Sequence, residues 1–387
     1  MTSKALFDVP PGAAARVSII DSTLRLKKMP VKYLLTPPVD GLEYLAPLTT
    51  WSFLVESSRG EKALFDLGVP PDLSRFSPAV VAKLKASGWD VTAEKNVADI
   101  LAENGVDPSE IKSIIWSHWH WDHIGDPTTF PSSTELVVGP GFKAAFGAGY
   151  PTIADSPVQE KDWTGRTLRE IVFDAETAHA AQSASTATQA GAFRAHDFFG
   201  DGSFFLLDTP GHAVGHLGAL ARTSTAPDTF VFMGGDLCHH AGELRPSPHL
   251  PLPSASRLTS LLPDAVRANA RLSACPGSDL DACFASLNSR RGRRADEPFF
   301  DPAMGLDVAA AIETIRQAQA ADAQDDVFFI FAHDMTVQGI VDEFPATLND
   351  WKAKGWREAA QWKFLEELGL ALAPKGGGGS RGSTSVV

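Results

Sequence analysis

The chain has 387 residues, 44% of them hydrophobic and 21% charged, with a net charge of −13. That length and composition suit a globular protein with one large core or two modest ones, and the acidic balance disfavours a nucleic-acid phosphate backbone as partner. No stretch approaches the roughly 18–20 uninterrupted apolar residues of a membrane span, and residues 1–9, with Lys4 and Asp8, lack the apolar run of a secretory signal.

Residues 50–55 (TWSFLV) read as a strand, Ser57-Ser58-Arg59-Gly60 as a turn, and residues 63–65 as the returning strand of a hairpin that ends in Asp66-Leu67-Gly68. Apolar residues at helical spacing predict helices over 79–87 and 97–104, the second stopped by Gly105. An apolar strand over 111–116 then empties into Ser117 and the run His118-Trp119-His120-Trp121-Asp122-His123. In extended backbone, residues two apart share a side. His118, His120 and Asp122 are therefore expected to converge, with a bend at Asp122 bringing His123 round. Trp119 and Trp121 alternate with them and are expected to pack or to wall a pocket. Imidazole and carboxylate without thiolate suit zinc and similar borderline divalent ions.

Strands follow over 136–138, 204–207, 217–221, 229–233 and 327–331, with helical stretches over 142–146, 306–320 and 356–368. No sharp composition break divides residues 1–373, which read as one domain. It carries insertions at about 175–191, an Ala/Ser/Thr/Gln-rich loop or poorly packed helix, and at about 242–301. In the second, Leu250, Leu252, Leu258, Leu261, Leu262, Phe299 and Phe300 either roof an apolar pocket or pack the insertion onto the core. Residues 374–387, rich in Gly and Ser, read as a flexible tail. Cys238, Cys275 and Cys283 form no CxxC pair and read as reduced thiols of a cytoplasmic protein. Asp126, His179, His196 and His249 lack strand-end context and read as surface or loop residues.

Three further strand ends present His or Asp: Thr209-Pro210-Gly211-His212, Gly235-Asp236 and Ala332-His333. Together with Asp66-Leu67-Gly68, residues 117–123 and the following Gly215-His216, they stand in the order found in the metallo-β-lactamase superfamily, which the chain resembles over roughly 45–340. The HxHxDH element is the most specific part of that likeness. The resemblance implies an α/β fold, a four-layer αβ/βα sandwich with a dinuclear metal site at one edge. Carried over position by position, His118, His120 and His212 would hold one metal, Asp122, His123 and His333 the other, and Asp236 both. Asp66 would orient a ligand, and His216 would serve backbone or packing.

Two divalent cations sharing a hydroxide provide a nucleophile at neutral pH, and the second ion polarises a carbonyl. The expected cofactors are two zinc ions, with manganese, cobalt or iron as substitutes. The expected reaction is the opening of a small cyclic ester or amide, such as an acyl-homoserine lactone or a lactam. The alternative is thioester hydrolysis on an acyl carrier or coenzyme, as in glyoxalase II or polyketide thioesterases. Lactonases of the superfamily commonly carry a Tyr three residues after the bridging Asp. Here that position is His239, which either takes the Tyr role at the leaving group or is a solvated loop residue beside His240. Asp122 and His239 are thus the candidate catalytic residues. The partner expected is a small-molecule substrate, with no nucleic acid and no membrane, and a homodimer is compatible with the chain. A flavo-diiron protein would need a flavin domain, for which too few residues follow His333.

Overall fold

The computed structural model describes residues 7–173, 187–267 and 279–371. Two six-stranded sheets form its centre, each with its strands side by side in chain order. The first comprises Arg16–Asp21, Trp51–Glu56, Lys62–Phe65, Ile111–Ile115, Glu135–Val138 and Leu168–Glu170. Its first three strands are antiparallel and the rest run parallel. The second comprises Ala187–Ala190, Phe193–Asp197, Phe204–Asp208, Leu217–Ser224, Thr229–Met233 and Val327–Ile330. It is antiparallel except for its last pair.

The strands read as near-continuous apolar runs because both faces of each sheet are covered. Side chains alternate between two cores. Trp51, Phe53, Val55, Phe204, Leu206, Val231, Met233, Phe328 and Ile330 meet between the sheets. Their neighbours Leu54, Leu64, Phe205, Leu207, Phe232 and Phe329 point outward and are buried with Val80, Leu84 and Leu101 or Ile315 and Ala318 of flanking helices. Those helices, Pro78–Ser87, Val97–Glu103 and Val308–Asp322, complete the four layers that the resemblance implied. Among the described residues, no helix is long and apolar enough to cross a membrane.

The predicted elements recur within a few residues of their expected bounds, with instructive exceptions. The single helix expected over 356–368 is two, Trp356–Ala360 and Leu365–Ala371. Trp362 and Phe364 are both buried in the outer core, yet residues two apart lie roughly 200° apart around a helix, so burying both requires a break. Of the insertion expected at 175–191, residues 175–186 lie outside the described residues; the remainder is neither loop nor helix but holds the strand Ala187–Ala190, paired to Phe193–Asp197. The tail at 374–387 lies outside the described residues as well. The second insertion carries the helices Ala241–Leu244, Ala255–Leu261 and Leu280–Arg290. Leu258, Leu262, Phe299 and Phe300 are buried in the outer core and Leu250, Leu252 and Leu261 pack against it, so these residues anchor the insertion.

Candidate active site

The strand Ile111–Ile115 delivers Ser117 and His118 to one edge of the sandwich, where the Leu217 N–H donates to the Ser117 carbonyl (2.7 Å) and ties the two sheets together. The chain turns one step earlier than expected. His120, still extended, is the N-cap of the short helix Trp121–Ile124, so Asp122 and His123 lie on helical backbone, and the turn carries the His123 ring back to within 4.2 Å of the His118 ring, centroid to centroid. His212 follows the end of Phe204–Asp208. At Gly211 (φ 127°) a Cβ would lie 2.2 Å from the Ala311 nitrogen, so the turn before His212 and the helix Val308–Asp322 approach closely enough to require glycine. Asp236 and His333 follow the parallel neighbours Thr229–Met233 and Val327–Ile330, paired through Met233 and Ile330. Their two loops stay together as they leave the sheet, and the Ala332 N–H donates to the Gly235 carbonyl (2.9 Å).

All seven side chains proposed from the sequence as ligands meet here, in two groups able to hold a metal ion: His118, His120, His212 and Asp236, and Asp122, His123 and His333. His212 Nε2 lies 3.2 Å from His118 Nε2 and 2.9 Å from His120 Nδ1. Asp236 spans the groups. Its Oδ2 is 3.7 Å from His118 Nε2 and 3.5 Å from His212 Nε2, while its Oδ1 is 3.1 Å from His123 Nε2 and 3.2 Å from His333 Nε2. His333 Nε2 is also 3.6 Å from Asp122 Oδ2.

Hydrogen bonds on the far side of the rings aim these atoms inward. Asp66 is fully buried and accepts from the Ser117 N–H (2.7 Å), the Ser117 hydroxyl (2.8 Å) and His123 Nδ1 (2.8 Å). The Ser117 hydroxyl oxygen accepts in turn from His118 Nδ1 (3.0 Å). His333 Nδ1 donates to the Thr49 carbonyl (2.7 Å). Each bond places the ring proton outside and leaves a lone pair facing the cluster. His216 is not in the cluster. Its Nδ1 donates to the Thr209 carbonyl (2.9 Å) and its Nε2 accepts from the Asp236 N–H (3.0 Å), which supports the loop carrying Asp236.

Burial, reinforced by neighbouring imidazoles, holds His118 and His212 well below the ordinary histidine range, and burial brings His120 down to about 4. These rings are neutral and able to ligate. At His123 the same burial acts downward but is outweighed by Asp236 and Asp66, so its pKa is raised, and Asp236 and Asp122 raise that of His333. Burial raises Asp236 too, but the surrounding histidines win and keep it ionised. Positive charge is thus favoured between Asp236, Asp66 and Asp122. His123 Nε2 and Asp236 Oδ1 are buried yet lack an aligned hydrogen-bond partner. Two buried lone-pair atoms without a proton between them, 3.1 Å apart at the centre of a nitrogen and oxygen cluster, fit a divalent cation pair.

His239 is buried, not solvated. Its Nε2 is 3.4 Å from Asp236 Oδ2, and its backbone N–H, with that of His240, donates to Glu243 Oε2 (2.6 and 3.0 Å). Glu243, fully buried, was not evident in the sequence. It reaches back to the N-cap of its helix as a capping-box residue, but the N-cap is His240 where Ser or Thr would announce the motif. The cavity above the cluster, about 40 Å³, is walled by Leu26, Met29, Tyr33, Trp89, Trp121 and Met304, with Lys83 at its edge. Trp121 is a wall residue, stacked on Trp89 with centroids 6.5 Å apart, whereas Trp119 packs on Phe146 (4.9 Å). Of the histidines and acid read as surface or loop residues, two are buried: Asp126, bonded to Arg75 (2.8 Å), and His196, on a strand. His249 is exposed, and His179 lies outside the described residues.

Comparison with known proteins places this geometry. Residues 45–140 match the metallo-beta-lactamase superfamily. The chain is 42% identical to gamma-lactamase FDB1 of Fusarium pseudograminearum over 361 residues, covering 91% of this chain and 82% of the other. The chain belongs to the metallo-β-lactamase superfamily. It is also 40% identical to cytochrome P450 monooxygenase mpaDE of Penicillium roqueforti over 96% of its own length, but spans only 39% of that protein. A solved structure of an N-acyl homoserine lactone hydrolase, with N-hexanoyl-L-homoserine bound at its catalytic metal centre, aligns with a TM-score of 0.52. It covers 87% of this chain and 99% of the other at 15% identity, a likeness of fold within the superfamily.

Proposed function

We propose that this metallo-β-lactamase superfamily hydrolase opens a small cyclic amide or ester. The observation that carries the reading is the Asp236 carboxylate, which turns one oxygen to His118 and His212 and the other to His123 and His333. His118, His120 and His212 would hold one zinc ion, Asp122, His123 and His333 the second, and Asp236 both. Cations held there supply a water acidified from a pKa of ~15.7 to about 7 and a Lewis acid for the carbonyl oxygen. The ring's carbonyl carbon gains the water oxygen, the bond to the ring oxygen or nitrogen breaks, and that leaving atom takes up a proton. His239 would supply the last hydrogen bond or proton, a role supported by its Nε2 lying 3.4 Å from Asp236 Oδ2. Tyr33, Trp89 and Trp121 exclude water from the approach and offer flat apolar surface to the ring. The likeness to a gamma-lactamase supports an amide among the substrates, and the buried free thiol Cys238 supports a reducing, cytoplasmic setting.

Base uptake at constant pH on lactones of graded size, aryl lactams and thioesters tests the reaction, with metal content measured on the same protein. Ring opening that is lost on chelation and regained with zinc supports the reading. Turnover confined to thioesters overturns it.

A further inference from the structure

A chamber of about 550 Å³ lies between the second insertion and the helix Val308–Asp322, and it shares no wall residue with the catalytic cavity. Its size falls within the roughly 300–1,000 Å³ of small-molecule sites. Glu243 and Arg293 of the insertion line it, facing Ile312 and Arg316 of the helix. Among the described residues, ten buried side-chain polar atoms lack a hydrogen-bond partner. Three of them, His123 Nε2, Asp236 Oδ1 and His239 Nδ1, stand at the metal cluster, where cations account for them. Two more, Glu243 Oε1 and Arg293 Nε, belong to this one chamber's walls. Both side chains are otherwise committed. Glu243 Oε2 holds the His239 and His240 N–H groups, and the Arg293 Nη atoms hold Asp301 (2.5 and 3.0 Å). Folded proteins seldom leave such atoms unanswered. A carboxylate answers Arg293 Nε, and a hydroxyl or ammonium answers Glu243 Oε1. Arg316 adds a second cation, since its exposed pairing with Glu313 (3.6 Å) is worth little and lets it turn inward.

We propose that this chamber is a second, regulatory site for a small carboxylic acid carrying a hydroxyl or an amine, the chemical form of a ring-opened product. Naming the ligand a product rests on the ring-opening reading; the chamber and its unpaired atoms do not. Two links join the chamber to the catalytic cavity. Glu243 holds the His239 N–H through Oε2 (2.6 Å), and a donor arriving at Oε1 competes for the same carboxylate charge. The hold on His239 loosens, and with it the placing of Nε2, 3.4 Å from Asp236 Oδ2. Pro302 also lines the chamber while Met304, two residues on, walls the catalytic cavity. Between them the Ala303 N–H is fixed on the Leu34 carbonyl (2.7 Å). Product gathering in the chamber thus lowers turnover without entering the catalytic cavity.

The test uses the metal-loaded protein with 4-hydroxybutanoate and 4-aminobutanoate, their binding read by calorimetry. Butanoate and 1-butanol, each lacking one of the two groups, should bind about tenfold or more weakly. Ile312→Trp, which fills the chamber from the helix, should abolish binding there, and Arg316→Glu, at an exposed position, should weaken it about tenfold. Glu243→Gln separates the two donors. Its carbonyl oxygen takes the two backbone N–H groups and its NH₂ replaces Oε1, from which an ammonium cannot accept. Affinity for 4-aminobutanoate should therefore fall about tenfold or more, and that for 4-hydroxybutanoate distinctly less. During lactone turnover, 4-hydroxybutanoate should lower kcat with KM nearly unchanged, and Ile312→Trp should relieve that inhibition. Absence of saturable binding, or binding indifferent to both Ile312→Trp and Arg316→Glu, would overturn the site. Purely competitive inhibition would overturn it too, by placing the acid at the metals. Binding sensitive to both variants in a protein that opens no ring would defeat the ring-opening reading and leave the site standing for another hydroxy or amino acid.

Discussion

Replacing Asp66 with Asn tests how the second metal group is held. Asp66 touches no substrate space, yet its two oxygens accept three hydrogen bonds, from the Ser117 N–H, the Ser117 hydroxyl and His123 Nδ1. Asn suits the local backbone, since residue 66 has φ 62°, a left-handed conformation that Asn tolerates better than most residues. Its volume matches and its acceptor count does not. If the amide oxygen keeps the Ser117 N–H, the amide NH₂ faces His123 Nδ1, which must then offer a lone pair and move its proton to Nε2. Nε2 is the atom that faces Asp236 Oδ1 at 3.1 Å. A ligand nitrogen thereby becomes a donor. Losing such an outer partner typically weakens metal binding 10–100-fold, or about 1.4–2.8 kcal/mol. Competition with a calibrated chelator should show one tight and one weakened ion in Asp66→Asn, against two tight ions in the parent. Two ions held at parental affinity would refute the argument that Asp66 sets the His123 tautomer.

Other perturbations follow from the same geometry. His239→Phe should lower kcat about 10²-fold with metal content retained, as loss of a positioned proton or hydrogen-bond donor does; an unchanged rate removes His239 from the reaction. Glu243→Ala leaves the His239 and His240 N–H groups buried without acceptors and should cost about 1–3 kcal/mol for each in urea unfolding. Glu243→Gln keeps an acceptor oxygen and should cost distinctly less; equal losses would show that the carboxamide cannot take over the two bonds. Burial pushes the Asp162 carboxyl up from 3.8 to about 7, so the folded protein retains a proton that the unfolded chain has released. That stabilisation is complete below about pH 4 and is lost as pH rises through 7, at up to ~1.4 kcal/mol per pH unit. Asp162→Asn should remove this fall, and unfolding midpoints of both proteins at pH 5 and pH 8 would reveal a parallel decline if another group were responsible.

Much of the site was legible because its signals are local. Residues 118–123 carry four of the seven candidate ligands in one short stretch of chain after a strand, and His212, Asp236 and His333 each follow an apolar run long enough to be read as a strand buried on both faces. What stayed hidden depends on distant packing. The strand Phe193–Asp197 mixes Arg, His and Asp with its apolar residues, and its pairing with Ala187–Ala190 on one side and Phe204–Asp208 on the other makes a strand of it. The cavity walls Met29, Tyr33 and Trp89 come from segments without any motif, brought over the metal cluster by the N-terminal third of the chain. The insertion that carried the most apolar residues is absorbed into the core, whereas Glu243, within its first turn, supports His239 by a cap that a histidine disguises.

The pairing of Thr229–Met233 with Val327–Ile330 has a consequence for synthesis on the ribosome. His118, His120, His212 and Asp236 have all left the exit tunnel while His333 is still to be translated, so a nascent chain owns a complete four-ligand nest before the second exists. The side chains of the first group are all present early; those of the second are complete only once the segment after the last strand has been made.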